Sequence, residues 1–272
     1  GIPEFRLPKQ VVRREVKRIK KLGVDFKLNI MVGTEITVDE LFNQGFDAIF
    51  IGTGNALSKS LPIDGAKLKG VIQATYFLQM VELSNSNSVD PNEVPIKEGD
   101  EVVVIGGGNT AMDACRTAVR LGAKKVYNIY RRTKNEMPAD MVEITEAEEE
   151  GVIFKNLTNP IEVVSDENGR VKEVVLQVME LGEADASGRR RPVPVEGKTE
   201  TIKVDTMILA IGQAVDASKF DDLDKTKKGA IAYDKDTFMT SMEGVFAGGD
   251  CGNDKISIAV EAIADAKKVS ES

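Results

Sequence analysis

One stretch of the sequence, VVVIGGGNTAMDAC, limits the fold more than any other. Its four consecutive β-branched residues predict a buried strand, its three glycines predict a tight turn, and the residues from Asn109 to Leu121 have helical apolar spacing. A second apolar strand is expected at 126–130, after Gly122 ends the helix. Strand, glycine turn, helix and strand make a βαβ unit, which is typical of α/β folds with a parallel sheet.

The glycine turn fits the G-x-G-x-x-A form of the dinucleotide-binding fingerprint, with Gly106, Gly108 and Ala111 at its three defining positions. The first glycine permits the sharp turn, the second lets the backbone approach a pyrophosphate, and the small third residue lets the helix pack closely on the strand. Asn109 and Thr110 begin the helix, whose first N–H groups attract an anion. We expect these five residues to bind a dinucleotide; a glycine-rich turn without a ligand is the alternative.

The residue found about 20 positions beyond such a fingerprint distinguishes NAD from NADP sites. An NAD site has an acid there that binds a ribose hydroxyl, whereas this sequence has Arg131 and Arg132. A guanidinium pairs well with the 2′-phosphate of NADP, and no acid is present to repel that phosphate. The sequence therefore predicts a preference for NADP, unless both arginines are only solvated surface charges.

Composition excludes several other kinds of site. The 272 residues contain no histidine, which rules out Ser-His-Asp triads, Cys-His pairs and most zinc sites, so we expect neither a metal site nor a catalytic side chain. Cys115 and Cys251 form no CxxC motif, which argues against a redox dithiol or an iron-sulfur site. Cys115 falls on the apolar side of its helix, where we expect it to pack in the core.

The charge balance and the apolar runs of the sequence indicate which partners and which cellular location to expect. Acidic residues outnumber basic ones by 44 to 36, so the chain has no overall basic field that would hold nucleic acid. No apolar run is long enough to span a membrane, and the first residues lack the apolar core of a signal peptide. We expect a cytoplasmic protein without nucleic-acid or membrane partners, and a homo-oligomer is compatible with this composition. The acidic helix at 143–150 is either a docking surface or, more simply, a solvated face.

Further elements are expected on both sides of the βαβ unit. Before it, the pattern predicts a basic amphipathic helix at 9–22, strands at 24–31 and 47–51, a short helix at 38–43 and a polar linker at 85–95. After the helix at 143–150, it predicts an antiparallel meander that returns to the parallel sheet, with strands at 152–157, 161–165, 171–181, 198–204 and 207–211 and turns at 167–169 and 186–188.

An internal repeat relates an early part of the chain to its middle. KLGVDFKLN at 21–29 recurs as EEGVIFKNL at 149–157, and the similar strands DAIFIGTG and DTMILAIG follow the two copies. This repeat predicts two related nucleotide-binding domains. Measured back from Gly23 by the distance that separates Gly151 from Gly106, the first copy's glycine loop falls before the first residue. We therefore expect that copy to be incomplete and the chain to be a fragment of a longer one.

Four segments together resemble the small, or beta, subunit of glutamate synthase and its relatives, which are NADPH-dependent flavoproteins built like the disulfide reductases. The segments are GIPEFRLPK at 1–9, VVVIGGGNTAMD at 102–113, YRRTKNEMPA at 130–139 and TSMEGVFAGGD at 240–250. The same family includes portions of dihydropyrimidine dehydrogenase and a ferredoxin:NADP oxidoreductase subunit. The resemblance covers nearly the whole chain, and the combination is more specific than any one segment.

The resemblance implies an α/β fold of two related Rossmann-like domains of the disulfide-reductase type. The FAD domain would be discontinuous and incomplete, built from residues 1–95 and 214–272, and it would flank an NADPH-binding domain at 96–213. Asp250, next to Gly249, would hold the ribityl chain of the flavin. From the residues alone, this Gly-Gly-Asp sequence is also compatible with a simple Asx turn.

The resemblance further implies a helix that begins near Ser257 and directs its positive end at the flavin ring. The implied activity is hydride transfer from NADPH to FAD, with electrons then passing through iron-sulfur clusters to the glutamate synthase large subunit or an equivalent acceptor. The family's first glycine fingerprint and its N-terminal iron-sulfur domain are missing from this sequence, which weakens FAD retention by this chain alone.

Three other functions are considered beside this one. A ferredoxin:NADP oxidoreductase-like electron-transfer subunit shares the same residues, and a non-catalytic NADP-binding module would describe the fragment. A thioredoxin reductase is disfavoured because its CxxC motif is absent.

Overall fold

The computed structural model describes residues 1–184, 188–252 and 258–271. The chain divides into two compact units, each made of two segments: unit 1 comprises Gly1–Lys17 and Ser60–Ile211, and unit 2 comprises Arg18–Lys59 and Gly212–Ser272.

The described ranges contain helices α1 to α6 and strands β1 to β12, numbered in chain order. The helices are α1 (Lys9–Lys21), α2 (Val38–Asn43), α3 (Ala74–Asn85), α4 (Asn109–Arg120), α5 (Met141–Glu149) and α6 (Ala259–Val269). The strands are β1 (Ile49–Ile51), β2 (Leu57–Ser58), β3 (Val71–Gln73), β4 (Glu101–Ile105), β5 (Lys125–Tyr130), β6 (Ile153–Asn156), β7 (Thr158–Ser165), β8 (Val171–Ala184), β9 (Arg190–Lys203), β10 (Thr206–Leu209), β11 (Gln213–Ala214) and β12 (Val245–Ala247).

The centre of unit 1 is a parallel sheet with the strand order β3-β10-β4-β5-β6. Strand β10 is buried along its whole length, as expected for a central strand of a sheet that is covered on both faces. On one face, Phe77 and Met112 from α3 and α4 pack against the sheet. On the other face, Val174 and Leu176 of β8 do so. The predicted βαβ unit is confirmed, with β4 and β5 adjacent and joined through α4.

The predicted antiparallel meander is confirmed except for its first strand, since the strand expected at 152–157 is β6, which pairs in parallel with β5. Strands β7, β8 and β9 pair in that order, and the chain then returns to the parallel sheet as β10, between β3 and β4. Strands β8 and β9 are 14 residues long, and β9 begins earlier than predicted. The predicted turn at 186–188 lies partly outside the described residues.

The organisation of residues 60–95 differs from the expectation. These residues were expected in the first flanking segment and to end in a linker at 85–95, but they belong to unit 1. Strand β3 pairs with β10, and Val94 in the supposed linker is buried in the core. Apolar burial around short strands and turns therefore outweighs the polar composition that suggested a linker.

The strand expected at 24–31 is absent. This segment pairs with none of the described strands, and Asn29 adopts a left-handed conformation with φ of 58°. Its apolar side chains are exposed, for example Leu28 at 74 %. Alternating apolar residues do not make a stable strand without a neighbouring strand to pair with.

Unit 2 contains two small sheets, the parallel pair β1-β12 and the antiparallel pair β11-β2. Ile51, Phe220, Ile231 and Val245 are among the residues of its core. Among the residues described for the whole chain, no helix combines the length and the apolar composition needed to cross a membrane.

Candidate functional site

The first two glycines of the turn between β4 and α4 are required by their surroundings. Gly106 has a φ of +139°, and a Cβ there would lie 2.3 Å from the carbonyl oxygen of Ala210. A Cβ on Gly107 would lie 2.6 Å from the ring of Tyr130. Larger residues at either position would force the backbone or the ring to move, so the shape of the turn depends on both glycines.

The third glycine of the turn is less crowded than the first two, because a Cβ there would make only ordinary van der Waals contact. The nearest atom to a Cβ built on Gly108 is Cγ of Pro138, at 3.9 Å. Gly108 is also the N-cap of α4 and supplies no side-chain cap, so the first N–H groups of the helix and its positive end remain directed outward. Ala111 is fully buried where the helix packs on the sheet. The residues at this turn therefore fit a pyrophosphate, which the backbone at Gly108 allows to approach.

The side chain of Asn109 braces this turn. Its Nδ2 donates to Oδ2 of Asp140 at 3.0 Å, and its Oδ1 accepts from the backbone N–H of Asp140 at 2.9 Å. The N–H of Ala139 donates to the carbonyl of Gly107 at 3.0 Å. These bonds fix the segment before α5 beside the turn. Contacts of Asn109 and Thr110 with a dinucleotide stay a prediction.

Asn128 on β5 is a positioning residue that the sequence analysis missed. Its side chain is fully buried, and Nδ2 donates to the carbonyl oxygen of Gly106 at 2.9 Å. The bond fixes the peptide at the sharpest point of the turn. The available signal was a carboxamide inside an otherwise apolar strand, since buried polar side chains are retained where they have a hydrogen-bonding partner.

The two arginines that follow β5 have different environments. Arg131 is exposed. Arg132 is 7 % exposed, and its Nε donates to the carbonyl oxygen of Arg190 at 2.7 Å. Arg131 is thus accessible to an anion, whereas Arg132 attaches the start of β9 to the end of β5. The predicted contacts of both residues with a 2′-phosphate stay predictions.

A third arginine, from the β8–β9 hairpin, contacts Tyr130, the last residue of β5. Nη2 of Arg189 donates to the hydroxyl of Tyr130 and to the carbonyl oxygen of Glu136, both at 3.0 Å. A pocket of about 570 Å³ lies here, within the range of roughly 300–1,000 Å³ typical of small-molecule sites. Its lining includes Met137 and Pro138 as well as Arg189 and Arg190. Arg189 and Tyr130 are 59 positions apart in the sequence. Their contact becomes visible only when the hairpin is seen packed against the end of β5.

A second candidate site lies in unit 2, at the turn after β12. Gly249 has a φ of +66°, and its N–H donates to Oδ2 of Asp265 on α6 at 3.1 Å. Gly249 and Asp250 line a pocket of about 260 Å³, together with Phe50, glycines at the end of β1 and the first residues of α6. This volume is below the roughly 300 Å³ of a small-molecule site, so the pocket fits only part of a flavin cofactor. Ser257 lies outside the described residues.

The N-terminal segment is attached to α4 and α5 by ion pairs. Arg6 contacts Asp113 through Nη1 at 2.9 Å and Glu143 through Nε at 2.8 Å. Burial raises the pKa of Asp113, although its contact with Arg6 acts in the opposite direction. The ring of Phe5 lies under the guanidinium of Arg116, whose carbon is 4.5 Å from the ring centroid. The segment GIPEFRLPK therefore has a structural role in unit 1.

Arg116 is the centre of this network. Its side chain is 6 % exposed and it contacts three carboxylates, Glu143 at 2.8 Å, Glu146 at 2.6 Å and Glu150 at 2.8 Å. Arg116 therefore neutralises part of the negative charge of the acidic helix from inside the unit. Neither a docking surface nor a solvated face, the two interpretations of its sequence, includes this contact.

Both cysteines are fully buried and unpaired with each other. Burial raises the pKa of the Cys115 thiol, so the reactive thiolate is disfavoured. The prediction that Cys115 packs in the core is confirmed.

Residues 8–266 match the model of the pyridine nucleotide-disulphide oxidoreductase family. The chain is 44 % identical to the NADP(+)-dependent formate dehydrogenase subunit beta of Moorella thermoacetica, over 92 % of this chain and 34 % of that protein. It is 35 % identical to the glutamate synthase [NADPH] small chain of Escherichia coli, over 100 % of this chain and 59 % of that protein. The chain therefore spans between about a third and three fifths of these relatives.

Mycobacterium tuberculosis FprA, solved in complex with NADPH, has a similar fold. The TM-score is 0.75 at 18 % identity, over 96 % of this chain and 71 % of FprA. This likeness supports the fold alone, whereas the family model covers almost every residue. The chain belongs to the pyridine nucleotide-disulphide oxidoreductase family.

Proposed function

We propose that this chain is the NADPH-binding part, and a portion of the FAD-binding part, of an oxidoreductase that passes electrons from NADPH through FAD to an acceptor. The observation that carries the proposal is the glycine turn of unit 1. It combines uncrowded backbone at Gly108, a helix N-terminus without a side-chain cap and the exposed Arg131 after the next strand. These features suit a pyrophosphate and a 2′-phosphate, respectively.

Each predicted cofactor-binding residue of unit 1 has a defined role in the proposed site. Gly106 and Gly108 would shape the turn and admit the pyrophosphate, while the N–H groups of Asn109 and Thr110 would donate to it. Ala111 would keep α4 close to β4. Arg131 would pair with the 2′-phosphate, and Arg132 would contribute by holding the hairpin through the Arg190 carbonyl.

In unit 2, Gly249 and Asp250 would contact the flavin. Asp250 would hold its ribityl chain, and the N-terminus of α6, near Ser257, would direct positive charge at the ring. Asp265 acts through Gly249, because its carboxylate accepts the Gly249 N–H and so fixes the turn. Bound FAD would accept the hydride of NADPH, and this chain's residues would bind and orient the two cofactors without acting as acid or base.

The proposed electron-transfer partner depends on which relative is taken as the guide. In the glutamate synthase form of the proposal, iron-sulfur clusters outside this chain would carry the electrons to a large subunit in the cytoplasm. The 44 % identity with a formate dehydrogenase beta subunit favours a second form, in which the same module serves a different electron-accepting or electron-donating complex. Both forms use the same NADPH site.

Replacing Arg131 with alanine tests the proposal. We expect the dissociation constant for NADPH to rise roughly ten- to a hundredfold and that for NADH to stay unchanged, because a charge-assisted contact with the 2′-phosphate contributes about 1.5–3 kcal/mol. The measurement is isothermal titration calorimetry of the whole chain with each nucleotide. Arg170→Ala is the matched control, since Arg170 is an exposed arginine at the opposite end of β8. An equal loss in both variants, or for both nucleotides, would overturn the role of Arg131.

A further inference from the structure

The start of β9, at the loop end of the β8–β9 hairpin, is held at the end of β5 by the residues on both sides of Arg131. On one side, the hydroxyl of Tyr130 accepts a hydrogen bond from Nη2 of Arg189 at 3.0 Å. On the other side, Nε of Arg132 donates to the carbonyl oxygen of Arg190 at 2.7 Å. The residues immediately before and after Arg131 therefore set the position of two consecutive hairpin residues.

Tyr130 connects this contact to the glycine turn. Its ring lies so close to Gly107 that a Cβ on that glycine would come within 2.6 Å of it. Its hydroxyl donates to the carbonyl of Glu136 at 2.7 Å, and the same carbonyl accepts from Arg189. Arg189 is therefore held next to the end of β5, where dinucleotide-binding folds recognise the ribose hydroxyls or their phosphate.

The negative charge of a 2′-phosphate favours more than one cationic side chain at the end of β5. A phosphate monoester carries about −1.5 to −2 charges at neutral pH. Arg132 is buried and engaged with the Arg190 carbonyl, which leaves Arg131 as the exposed arginine of the pair. Glu136 also lines this pocket, and its carboxylate accepts from the N–H of Thr133 at 3.0 Å and from the Thr133 hydroxyl. The hydrogen bond from the Thr133 hydroxyl, with that from the N–H, holds the pKa of Glu136 below its usual value.

We propose that Arg189 is a second residue that recognises the 2′-phosphate, presented by the β8–β9 hairpin beside the pocket lined by Met137 and Pro138. This inference rests on the proposed NADPH site and extends it to a residue outside the βαβ unit. Arg189 selects NADPH over NADH together with Arg131, and Tyr130 is the positioning residue that orients its guanidinium.

The test is calorimetric titration of the whole chain and its Arg189→Ala variant with NADPH and with NADH, two ligands that differ only in the 2′-phosphate. We expect the dissociation constant for NADPH to rise roughly ten- to a hundredfold and that for NADH to stay unchanged. Arg170→Ala, which removes the same side chain from the far end of β8, should change neither. Tyr130→Phe should weaken NADPH binding by a smaller factor, because it removes one of the two bonds from Arg189.

The outcomes separate this inference from the proposed function. If Arg131→Ala loses NADPH selectivity while Arg189→Ala keeps it, the role of Arg189 is overturned and the site stands. If the unmodified chain binds NADPH and NADH equally, recognition of the 2′-phosphate is overturned for both arginines, and with it the proposed use of NADPH. An equal loss of both nucleotides in Arg189→Ala would also contradict the inference, because it would indicate a change in the hairpin and not a lost phosphate contact. Arg189→Lys, which keeps the charge but not the planar fork, should retain part of the selectivity.

Discussion

Replacement of Arg116 by methionine is expected to lower the free energy of unfolding of unit 1 by about 3–5 kcal/mol. The side chain is 6 % exposed and contacts Glu143, Glu146 and Glu150, so its removal leaves three carboxylates close together without their shared cation. Methionine fills similar space, which limits the cavity contribution. Urea unfolding followed by circular dichroism measures the change.

Arg120→Met is the matched control for this prediction. Arg120 lies one turn further along α4, also contacts Glu150, and has a side chain that is 47 % exposed. An exposed pair of this kind contributes less than about 1 kcal/mol. Equal destabilisation by the two substitutions would contradict the account of Arg116 as the buried centre of the network.

The destabilisation should also depend on pH. The hydrogen bond from Arg120, with help from Arg116, holds the pKa of Glu150 below its usual value. Glu150 therefore contributes stability that is present above its unfolded pKa and is lost as the pH falls through the folded pKa. Arg116→Met removes part of the interaction that lowers this pKa, so less of this stability remains to be lost in the variant. The difference between the two proteins should therefore shrink as the pH falls below about 4.3, the usual pKa of glutamate, toward the lower folded pKa of Glu150.

The second large effect is expected at the glycine turn, where Gly106→Ala should both destabilise unit 1 and abolish dinucleotide binding. The alanine Cβ would lie 2.3 Å from the carbonyl oxygen of Ala210, at a φ of +139° that alanine disfavours. Strain and overpacking each cost about 1–3 kcal/mol, so we expect a loss of at least about 2 kcal/mol. Thermal unfolding and calorimetry with NADPH measure the two effects.

Gly108→Ala is the comparison variant for Gly106→Ala. Apart from the neighbouring residues of the chain, the nearest atom to a Cβ built there is Cγ of Pro138 at 3.9 Å, and the N-cap φ of −94° is accessible to alanine. We expect only a modest loss of stability, about 0.5–1 kcal/mol, because alanine is a poorer N-cap than glycine. NADPH binding should weaken at least roughly tenfold, because the methyl group enters the space through which the backbone approaches the pyrophosphate. Unchanged affinity would show that the open space in front of α4 is not the pyrophosphate site.

The elements that the sequence predicted correctly are those with strong local signals. The β4–α4–β5 unit and the meander were predictable because buried β-branched runs, glycine turns and helical periodicity all agree along a short stretch of chain. The strand expected at 24–31 and the linker at 85–95 depended on partners and packing elsewhere in the fold. Local pattern cannot reveal whether a neighbouring strand exists or whether Val94 is buried.

The candidate site shows the same division. Gly106, Gly108 and Arg131 could be proposed from the sequence because their spacing follows from the length of one βαβ unit. Arg189 could not be proposed, because its contact with Tyr130 depends on how the hairpin packs against the end of β5. The separation of Arg131 from Arg132 was equally hidden, since the side chains of neighbouring residues after a strand can face solvent and core.

Calorimetric titration of the unmodified chain with NADPH and with NADH under the same conditions tests whether unit 1 holds an NADPH site. We expect NADPH to bind at least roughly tenfold more tightly, because one or two guanidinium contacts to the 2′-phosphate each contribute about 1.5–3 kcal/mol. Equal affinity for the two nucleotides, or binding of neither, would contradict it.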